Sequence, residues 1–424
     1  AQIQADRGEH RQAVETYTRI LESWSDDRSS SRVLRINLYA NRGTLHYQMS
    51  NLDAALGDFN EAIRLGPQRG RVYTNRGLIF MKRKNYEAAL ADFNKAIEID
   101  PEDAAAMVNR GNLLLEIGDL EAALRDYNRA IEVTPNDLMI YNNRGSVFSS
   151  LGKFEKALAD FNHILERDPK YVQAYANRAW IFVKREDFDA AIADYSRAIE
   201  LDPKTYQAYH NRGILFREKG DLDAAIADFS QAIQVNPEFV PAYVSRGRVF
   251  VQKNELDAAL EDFSKAVSVD RKNVHAFTNR AQVFMKRKQL DLALKDCDRA
   301  VEIDSKNAAA FDMRVQVRVE MKNYSGALVD SDRLIDLNPR FRNAHNRRAF
   351  IKRKLGRHDE ALGDLDTEIR LFPKSAIPYY NRGLLHKFRR RHAQAAEDFR
   401  RHLDLVPNSR FRSTIEKYLK SRSW

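Results

Sequence analysis

Cysteine is nearly absent from this chain of 424 residues, and long apolar runs are missing. The single cysteine, Cys297, excludes an internal disulfide and fits a reducing compartment. No apolar stretch approaches the roughly 18 residues that a membrane span requires. The composition, 43% hydrophobic and 31% charged, is that of a folded protein in water. We therefore expect a cytoplasmic protein with no membrane-spanning segment and no membrane partner.

Sequence motifs for catalysis are also lacking. The chain has no glycine-rich phosphate-binding loop, no His-Glu-x-x-His helix and no pair of cysteines spaced for zinc. His386, His392 and His402 lie close together in the sequence, but their spacings do not place them on one face of a helix. These absences predict a non-catalytic protein that uses no cofactor and no metal ion.

What the chain does contain is a repeat, because Asn-Arg-Gly or a close variant recurs every 34 residues. An aspartate follows each arginine after 16 residues. A fixed period of this length indicates a solenoid in which each unit contacts only its neighbours. The eleven pairs of positions are Arg42 and Asp58, Arg76 and Asp92, Arg110 and Asp126, Arg144 and Asp160, Arg178 and Asp194, Arg212 and Asp228, Arg246 and Asp262, Arg280 and Asp296, Arg314 and Asp330, Arg348 and Asp364, and Arg382 and Asp398.

Each 34-residue unit has the pattern of two amphipathic helices. In the unit from 104 to 137, apolar residues recur at a spacing of three to four on both sides of Gly118-Asp119, and this dipeptide is a turn signal. A glycine inside the first helix, such as Gly111, costs about 1 kcal/mol relative to alanine. We therefore expect the backbone of a neighbouring helix to approach it closely, with aromatic residues filling the space between repeats.

These features together resemble the tetratricopeptide repeat (TPR) family. The matching features are glycine or alanine in the first helix, alanine and then an aromatic in the second, and a closing proline. Arginine stands where the commonest pattern of the family has leucine, and it varies together with aspartate, as in a subclass with paired Arg and Asp columns. The resemblance implies an all-α fold, a right-handed α-solenoid, or superhelix, of stacked helix-turn-helix repeats.

The paired columns predict a structural ladder along the solenoid. A charged group in the seam between helices needs a partner, so we expect the arginine and aspartate columns to form ion pairs. The pairing of Arg42 with Asp58 exemplifies all eleven, and the sequence leaves open whether a pair lies within a repeat or joins two. A ligand-binding role for these arginines is the alternative.

The period also divides the chain into segments. We predict a truncated first repeat at 1–22, an extended link at 23–34, eleven repeats at 35–408, and a C-terminal capping helix and tail at 409–424. Because the chain opens inside a repeat, we expect it to be part of a longer or processed protein.

In the TPR family, the first helices of the repeats line a concave groove that holds peptide segments or partner helices. The resemblance therefore implies groove-facing positions in this chain, among them Gln252, His275 and Gln282. Trp180 is the sharpest candidate, since a large aromatic is a typical anchor, and internal packing is its alternative. The candidate groove-binding residues are Arg71, Lys82, Asn112, Asn142, Trp180, Lys184, His210, Arg217, Arg248, Lys286, Arg353 and Lys354.

Chaperone-binding members of the family clamp an acidic C-terminal peptide with a lysine–asparagine pair and a lysine–arginine pair. Asparagines such as Asn41 and Asn75 are present here, but both pairs are missing at the matching places. We therefore do not expect a carboxylate clamp for chaperones of the Hsp70 or Hsp90 type.

Positive charge is concentrated at the C-terminal end. Residues 340–424 contain 22 Lys and Arg against 9 Asp and Glu, a net charge of +13, which leaves −3 for the remaining chain. Basic triplets also recur at turns, as in 82–84 and 286–288, either as a solvated rim or as a stripe for acidic partners.

The sequence therefore predicts a non-catalytic scaffold for protein–protein interaction. Its groove would bind peptide segments or partner helices, and its basic C-terminal region would favour acidic partners. One alternative is non-specific nucleic-acid binding through the basic C-terminal repeats, although the 34-residue period argues against base-by-base recognition. The other is a targeting arm of an enzyme that lies outside this chain.

Overall fold

The computed structural model describes residues 8–23 and 29–421, with only the backbone described for 29–31. Within those ranges, all regular secondary structure is helical, in 24 α-helices. The chain divides into two compact units, Ala1–Pro203 and Lys204–Trp424. None of the described helices is long and apolar enough to cross a membrane.

The first unit contains one helix followed by five helical hairpins. Its helices are α1 (His10–Glu22), α2 (Ser29–Gln48), α3 (Leu52–Leu65), α4 (Gly70–Lys82), α5 (Tyr86–Ile99), α6 (Ala104–Ile117), α7 (Leu120–Val133), α8 (Leu138–Ser150), α9 (Phe154–Arg167), α10 (Val172–Lys184) and α11 (Phe188–Leu201).

The second unit contains six hairpins and a last helix. Its helices are α12 (Tyr206–Glu218), α13 (Leu222–Val235), α14 (Val240–Gln252), α15 (Leu256–Val269), α16 (Val274–Lys286), α17 (Leu290–Ile303), α18 (Ala308–Glu320), α19 (Tyr324–Leu337), α20 (Ala344–Lys354), α21 (His358–Leu371), α22 (Ala376–Phe388), α23 (His392–Leu405) and α24 (Arg412–Lys420).

Each hairpin is one repeat, and we number them from repeat 1 (α2 and α3) to repeat 11 (α22 and α23). The first helix of a repeat is its helix A and the second its helix B. Within each unit, every helix packs against its neighbours in the chain, and helices A of consecutive repeats also lie side by side. The predicted all-α solenoid of stacked hairpins is therefore confirmed.

The turn between helices A and B has the same backbone in all eleven repeats. One residue adopts a left-handed conformation, as Gly118 does with φ 88° and Lys84 with φ 59°. The amide of the next residue, Asp119, donates to the carbonyl oxygen of Leu114, five residues earlier, at 2.8 Å, and this bond satisfies the end of helix A. The side chain of Asp119 then accepts the amide of Ala122 and caps helix B.

The glycine of helix A is a seat for an aromatic ring. A Cβ atom on Gly77 would lie 2.7 Å from the ring of Phe93, and one on Gly111 would lie 2.8 Å from the ring of Tyr127. Phe93 shares a buried cluster with Leu113 of the next repeat. The expected approach of a helix backbone is therefore wrong, because the glycine makes room for a ring from helix B of its own repeat.

The two sides of this contact change together in repeats 8 and 9. The aromatic position holds Cys297 and Ser331, and the glycine position holds Ala281 and Val315. All four side chains are buried. A larger residue in helix A thus compensates for a smaller one in helix B, as a close-packed core requires.

The ends of the array refine the predicted segments. Helix α2 begins at Ser29, so the prediction of an extended link at 23–34 is wrong for residues 29–34, which are helical. No glycine or proline lies between 29 and 42 to stop a helix. Residues 1–7, 24–28 and 422–424, which belong to the predicted terminal and link segments, lie outside the described residues. At the other end, α24 buries Ile415 and Tyr418 against Phe399.

We predict that Gly111→Ala lowers the free energy of unfolding by about 1–3 kcal/mol, because the new methyl group forces the ring of Tyr127 from its seat. The matched control is Gly57→Ala, at a helical glycine whose Cβ would meet nothing within 4 Å. That change should raise stability by about 0.5–1 kcal/mol. Urea unfolding followed by circular dichroism compares the two, and equal effects would contradict the seat.

Candidate functional site

Each ladder arginine binds the aspartate of its own repeat with a two-pronged contact. In repeat 5, Arg178 Nε donates to Asp194 Oδ2 at 2.7 Å and Arg178 Nη2 donates to Oδ1 at 2.8 Å. The same pair of bonds occurs in all eleven repeats. The predicted pairing is confirmed, and it lies within repeats.

A third bond from the same guanidinium joins consecutive repeats. Arg178 Nη1 donates to Asn162 Oδ1 of the preceding helix B at 2.7 Å, and Arg314 Nη1 donates to Asp298 at 2.9 Å. Equivalent bonds occur in repeats 2–5 and 7–11, with Asn, Ser or Asp as the acceptor. The ladder therefore fixes both the hairpin and its position on the previous one.

Aromatic rings cover the faces of most of these guanidinium groups. The guanidinium carbon of Arg178 lies 5.6 Å from the ring centre of Tyr175 and 5.9 Å from that of Phe182, which is within cation–π range. The bond with Asp194 raises the pKa of Arg178. With its edges bonded and its faces covered, this group is used inside the stack, in agreement with a structural role.

The last repeats add a second cation to the aspartate. Arg318 lies 2.8 Å from Asp330, and Lys352 lies 2.9 Å from Asp364. Burial raises the pKa of the Asp364 carboxyl, but the nearby His345, Arg348 and Lys352 outweigh burial and lower that pKa to about 2. Part of the basic charge of these repeats is therefore neutralised by ion pairs within the fold.

Polar side chains join neighbouring helices A. Asn177 donates to Asn142 at 2.9 Å, and the His210 ring lies 3.0 Å from Ser245 Oγ. Asn112 accepts hydrogen bonds from the Tyr127 hydroxyl and from Asn143. Burial lowers the pKa of His210. Three of the predicted groove-binding residues, Asn112, Asn142 and His210, therefore have partners inside the protein.

Five more of the predicted residues also contact neighbouring side chains. Each is a cation that lies over an aromatic ring or beside a carboxylate. The partners are Tyr47 for Lys82, Trp180 for Lys184, Glu218 for Arg217, and Phe350 for both Arg353 and Lys354.

The ring of Trp180 is also partly covered by neighbouring side chains. Its ring packs edge-on against Phe154 at 6.2 Å and carries the ammonium of Lys184 at 5.0 Å. It is still 39% exposed. The geometry allows both packing and ligand contact, so its role as an anchor stays a prediction.

A polar cavity of about 580 Å³ lies between the helices A of repeats 7 and 8, α14 and α16. We call it the repeat 7–8 cavity. None of its lining side chains is a carboxylate. The lining residues are Arg248, Val251, Gln252, His275, Thr278, Asn279, Gln282 and Lys286.

Five donors of this cavity are unpartnered, unlike most of the other groove-binding candidates. In the described part of the chain, the side chains of Arg248, Gln252, His275, Gln282 and Lys286 make no hydrogen bond, ion pair or ring contact. All but the half-buried Gln282 are exposed. The cavity therefore holds a group of donors that the fold does not use.

Three lining residues were not among the predicted groove-facing positions, namely Val251, Thr278 and Asn279. The spacing of Thr278 and Asn279 from His275 and Gln282 places all four on one face of α16, and this helical spacing is the signal that could have found them. Arg71, the remaining candidate, is exposed beside a cavity of about 760 Å³ between repeats 1 and 2. That cavity also contains the carboxylate of Asp100.

Some residues of the basic triplets at the turns form ion pairs at the rim of the stack. Arg83 pairs with Asp53, at the start of the preceding helix B, and Arg287 pairs with Asp257 in the same way. The central arginine of each of these triplets thus ties two repeats together, which favours the rim interpretation for that position.

Cys297 and the C-terminal histidines are engaged separately. Burial raises the pKa of the Cys297 thiol to about 12. The ring of His392 lies 2.9 Å from the Tyr418 hydroxyl, and the ring of His402 lies 2.9 Å from the Ala376 carbonyl oxygen. Among the residues that the structure describes, no group of His, Cys, Asp or Glu could hold a metal ion.

Known protein families and structures were compared with the chain. Family profiles described as tetratricopeptide repeat or TPR repeat match residues 70–103, 93–125, 111–152, 139–171, 176–241, 247–287, 274–307 and 346–410. No curated protein sequence matches significantly.

Several solved structures are similar to the chain. The APC/C hetero-tetramer Cut9–Hcn1 is 13% identical with a TM-score of 0.50, and the match covers 99% of this chain and 95% of that one. A tetratricopeptide repeat protein from Parabacteroides merdae is 24% identical with a TM-score of 0.49, covering 59% and 99%. Yeast Tom70 is 15% identical with a TM-score of 0.45, covering 91% and 94%. The first of these likenesses supports the helical-repeat fold.

We predict that Arg178→Ala and Asp194→Ala each lower the free energy of unfolding by about 3 kcal/mol, because either change leaves a buried charge without its partner. Glu200→Ala is the control on the same helix, since Glu200 forms an exposed pair with Arg197. It should cost less than about 1 kcal/mol. Thermal unfolding of the three variants measures this, and no difference from the control would refute a structural ladder.

Proposed function

We propose that this chain, which belongs to the tetratricopeptide repeat family, is a non-catalytic scaffold that binds segments of other proteins along its helices A. The repeat 7–8 cavity is the observation that carries this proposal. Five of its donors have no partner in the described fold, whereas most of the other groove candidates do. Polar groups that the fold leaves unused are available to a partner.

Acidic segments are the partners that this arrangement favours. Arg248 and Lys286 bring two positive charges to a cavity without a carboxylate. A hydrogen bond to a charged group contributes about 1.5–3 kcal/mol. The net charge of +13 between 340 and 424 would attract the same partners over a longer range. An extended peptide or an exposed helix could both present such acidic groups.

Non-specific nucleic-acid binding is the second candidate, because of that C-terminal charge. The ion pairs of Arg348 with Asp364 and of Arg382 with Asp398 are already subtracted in the net charge of +13, so this charge would attract either kind of partner. The matches to tetratricopeptide repeats favour a protein partner.

The cytoplasm is the compartment that we propose for this scaffold. The chain has one cysteine, and Cys297 is a free, buried thiol. A protein that holds its repeats together without disulfides is suited to a reducing environment.

We predict that a fluorescent glutamate-rich peptide binds the full chain more tightly than a lysine-rich peptide of equal length. Lys286→Ala should weaken that binding by about tenfold, because a charge-assisted contact is lost. Lys265→Ala is the control, since Lys265 is an exposed residue of α15 in the preceding repeat. Fluorescence anisotropy measures both, and an equal loss from the two substitutions would contradict binding at the groove.

We predict little binding of a single-stranded oligonucleotide at about 150 mM salt. A phosphate-binding protein would instead show a log–log salt slope of about −0.7 to −0.9 for each contact made. Titrations at several salt concentrations decide between them, and a steep slope with strong binding would favour the second candidate.

A further inference from the structure

We infer that the repeat 7–8 cavity recognises a phosphorylated side chain, a phosphate monoester on the partner segment. This inference rests on the proposed function, because the phosphate would be carried by a protein segment lying along the helices A. It specifies which chemical group of the partner segment the cavity binds.

The charge of the cavity is the first argument. Arg248 and Lys286 have no counter-ion among the described residues. The carboxylate of an aspartate or a glutamate would neutralise one of the two. A phosphate monoester carries about −1.5 to −2 charges at neutral pH, so it matches both cations.

The supply of donors is the second argument. A guanidinium and an ammonium offer several N–H groups, and the amides of Gln252 and Gln282 and the ring of His275 offer more. A phosphate has three strong acceptor oxygens, against two oxygens in a carboxylate. More of the donors would therefore be satisfied by a phosphate.

The setting of the cavity is the third argument. Its volume of about 580 Å³ lies within the range of binding sites for small groups. The repeats on either side carry glutamates in the column of Lys286, but these are occupied: Glu218 pairs with Arg217, and Glu320 pairs with Lys288. The cavity between repeats 1 and 2 combines Arg71 with Asp100 and would repel a dianion more strongly.

The test uses three fluorescent degenerate peptides that differ only at their central residue, which is phosphoserine, glutamate or serine. For the full chain, we expect the phosphoserine peptide to bind about tenfold more tightly than the glutamate peptide, by fluorescence anisotropy. Inorganic phosphate should compete with it. Arg248→Gln and Lys286→Gln should each abolish the preference for phosphoserine.

Lys82→Gln is the matched control, because Lys82 holds the column of Lys286 in repeat 2 and lies over the Tyr47 ring. It should leave the preference unchanged. Since Arg248 and Lys286 are exposed and unpartnered, their variants should unfold like the parent chain, and thermal unfolding verifies this.

The outcomes separate this inference from the proposed function. If phosphoserine and glutamate peptides bind equally well and both better than the serine peptide, phosphate recognition is overturned while an acidic-segment scaffold stands. If the three peptides bind alike, the preference for acidic partners fails together with phosphate recognition. If neither Gln variant alters binding, the cavity is no anion site, even where the acidic peptides still bind better than the serine peptide.

Discussion

One guanidinium in each repeat determines how this solenoid is assembled. It binds the aspartate of its own hairpin through two bonds and, in most repeats, an acceptor on the previous helix B through a third. Because the aspartate is buried and needs a cation, and because the fork admits one geometry, the contact sets the register of each hairpin and of the stack. Apolar volume, by contrast, is exchanged between helices A and B, as Ala281 with Cys297 shows.

The pairing of polar side chains inside the protein also indicates where a partner can bind. Many polar side chains have partners within the stack. These partners are supplied by the ladder, by contacts between helices A such as Asn177 with Asn142, and by rim pairs such as Arg83 with Asp53. The repeat 7–8 cavity departs from this rule, since Arg248 and Lys286 meet no internal partner. A site in a repeat protein is thus recognised by what the repeat pattern leaves unsatisfied.

The sequence predicted the helices and the Arg–Asp pairs because both follow from local spacing and from the need to neutralise a buried charge. The sequence did not show that Asn112 and Asn142 form hydrogen bonds with neighbouring helices A. Those bonds join residues about one repeat apart, and whether two such side chains meet depends on how the repeats pack. The sequence also placed residues 29–34 in a link, because α2, with 20 residues, is longer than the other helices A and no local signal marks its start. The unpartnered donors are visible only in three dimensions.

A double-mutant cycle on Arg178 and Asp194 tests the central claim most directly, with equilibrium unfolding measured for the parent, both alanine variants and the double variant. We expect a coupling free energy of about 2 kcal/mol or more, because each residue is needed only in the presence of the other. A coupling near zero, with effects that simply add, would show that the pair does not hold the repeats together and would contradict the account.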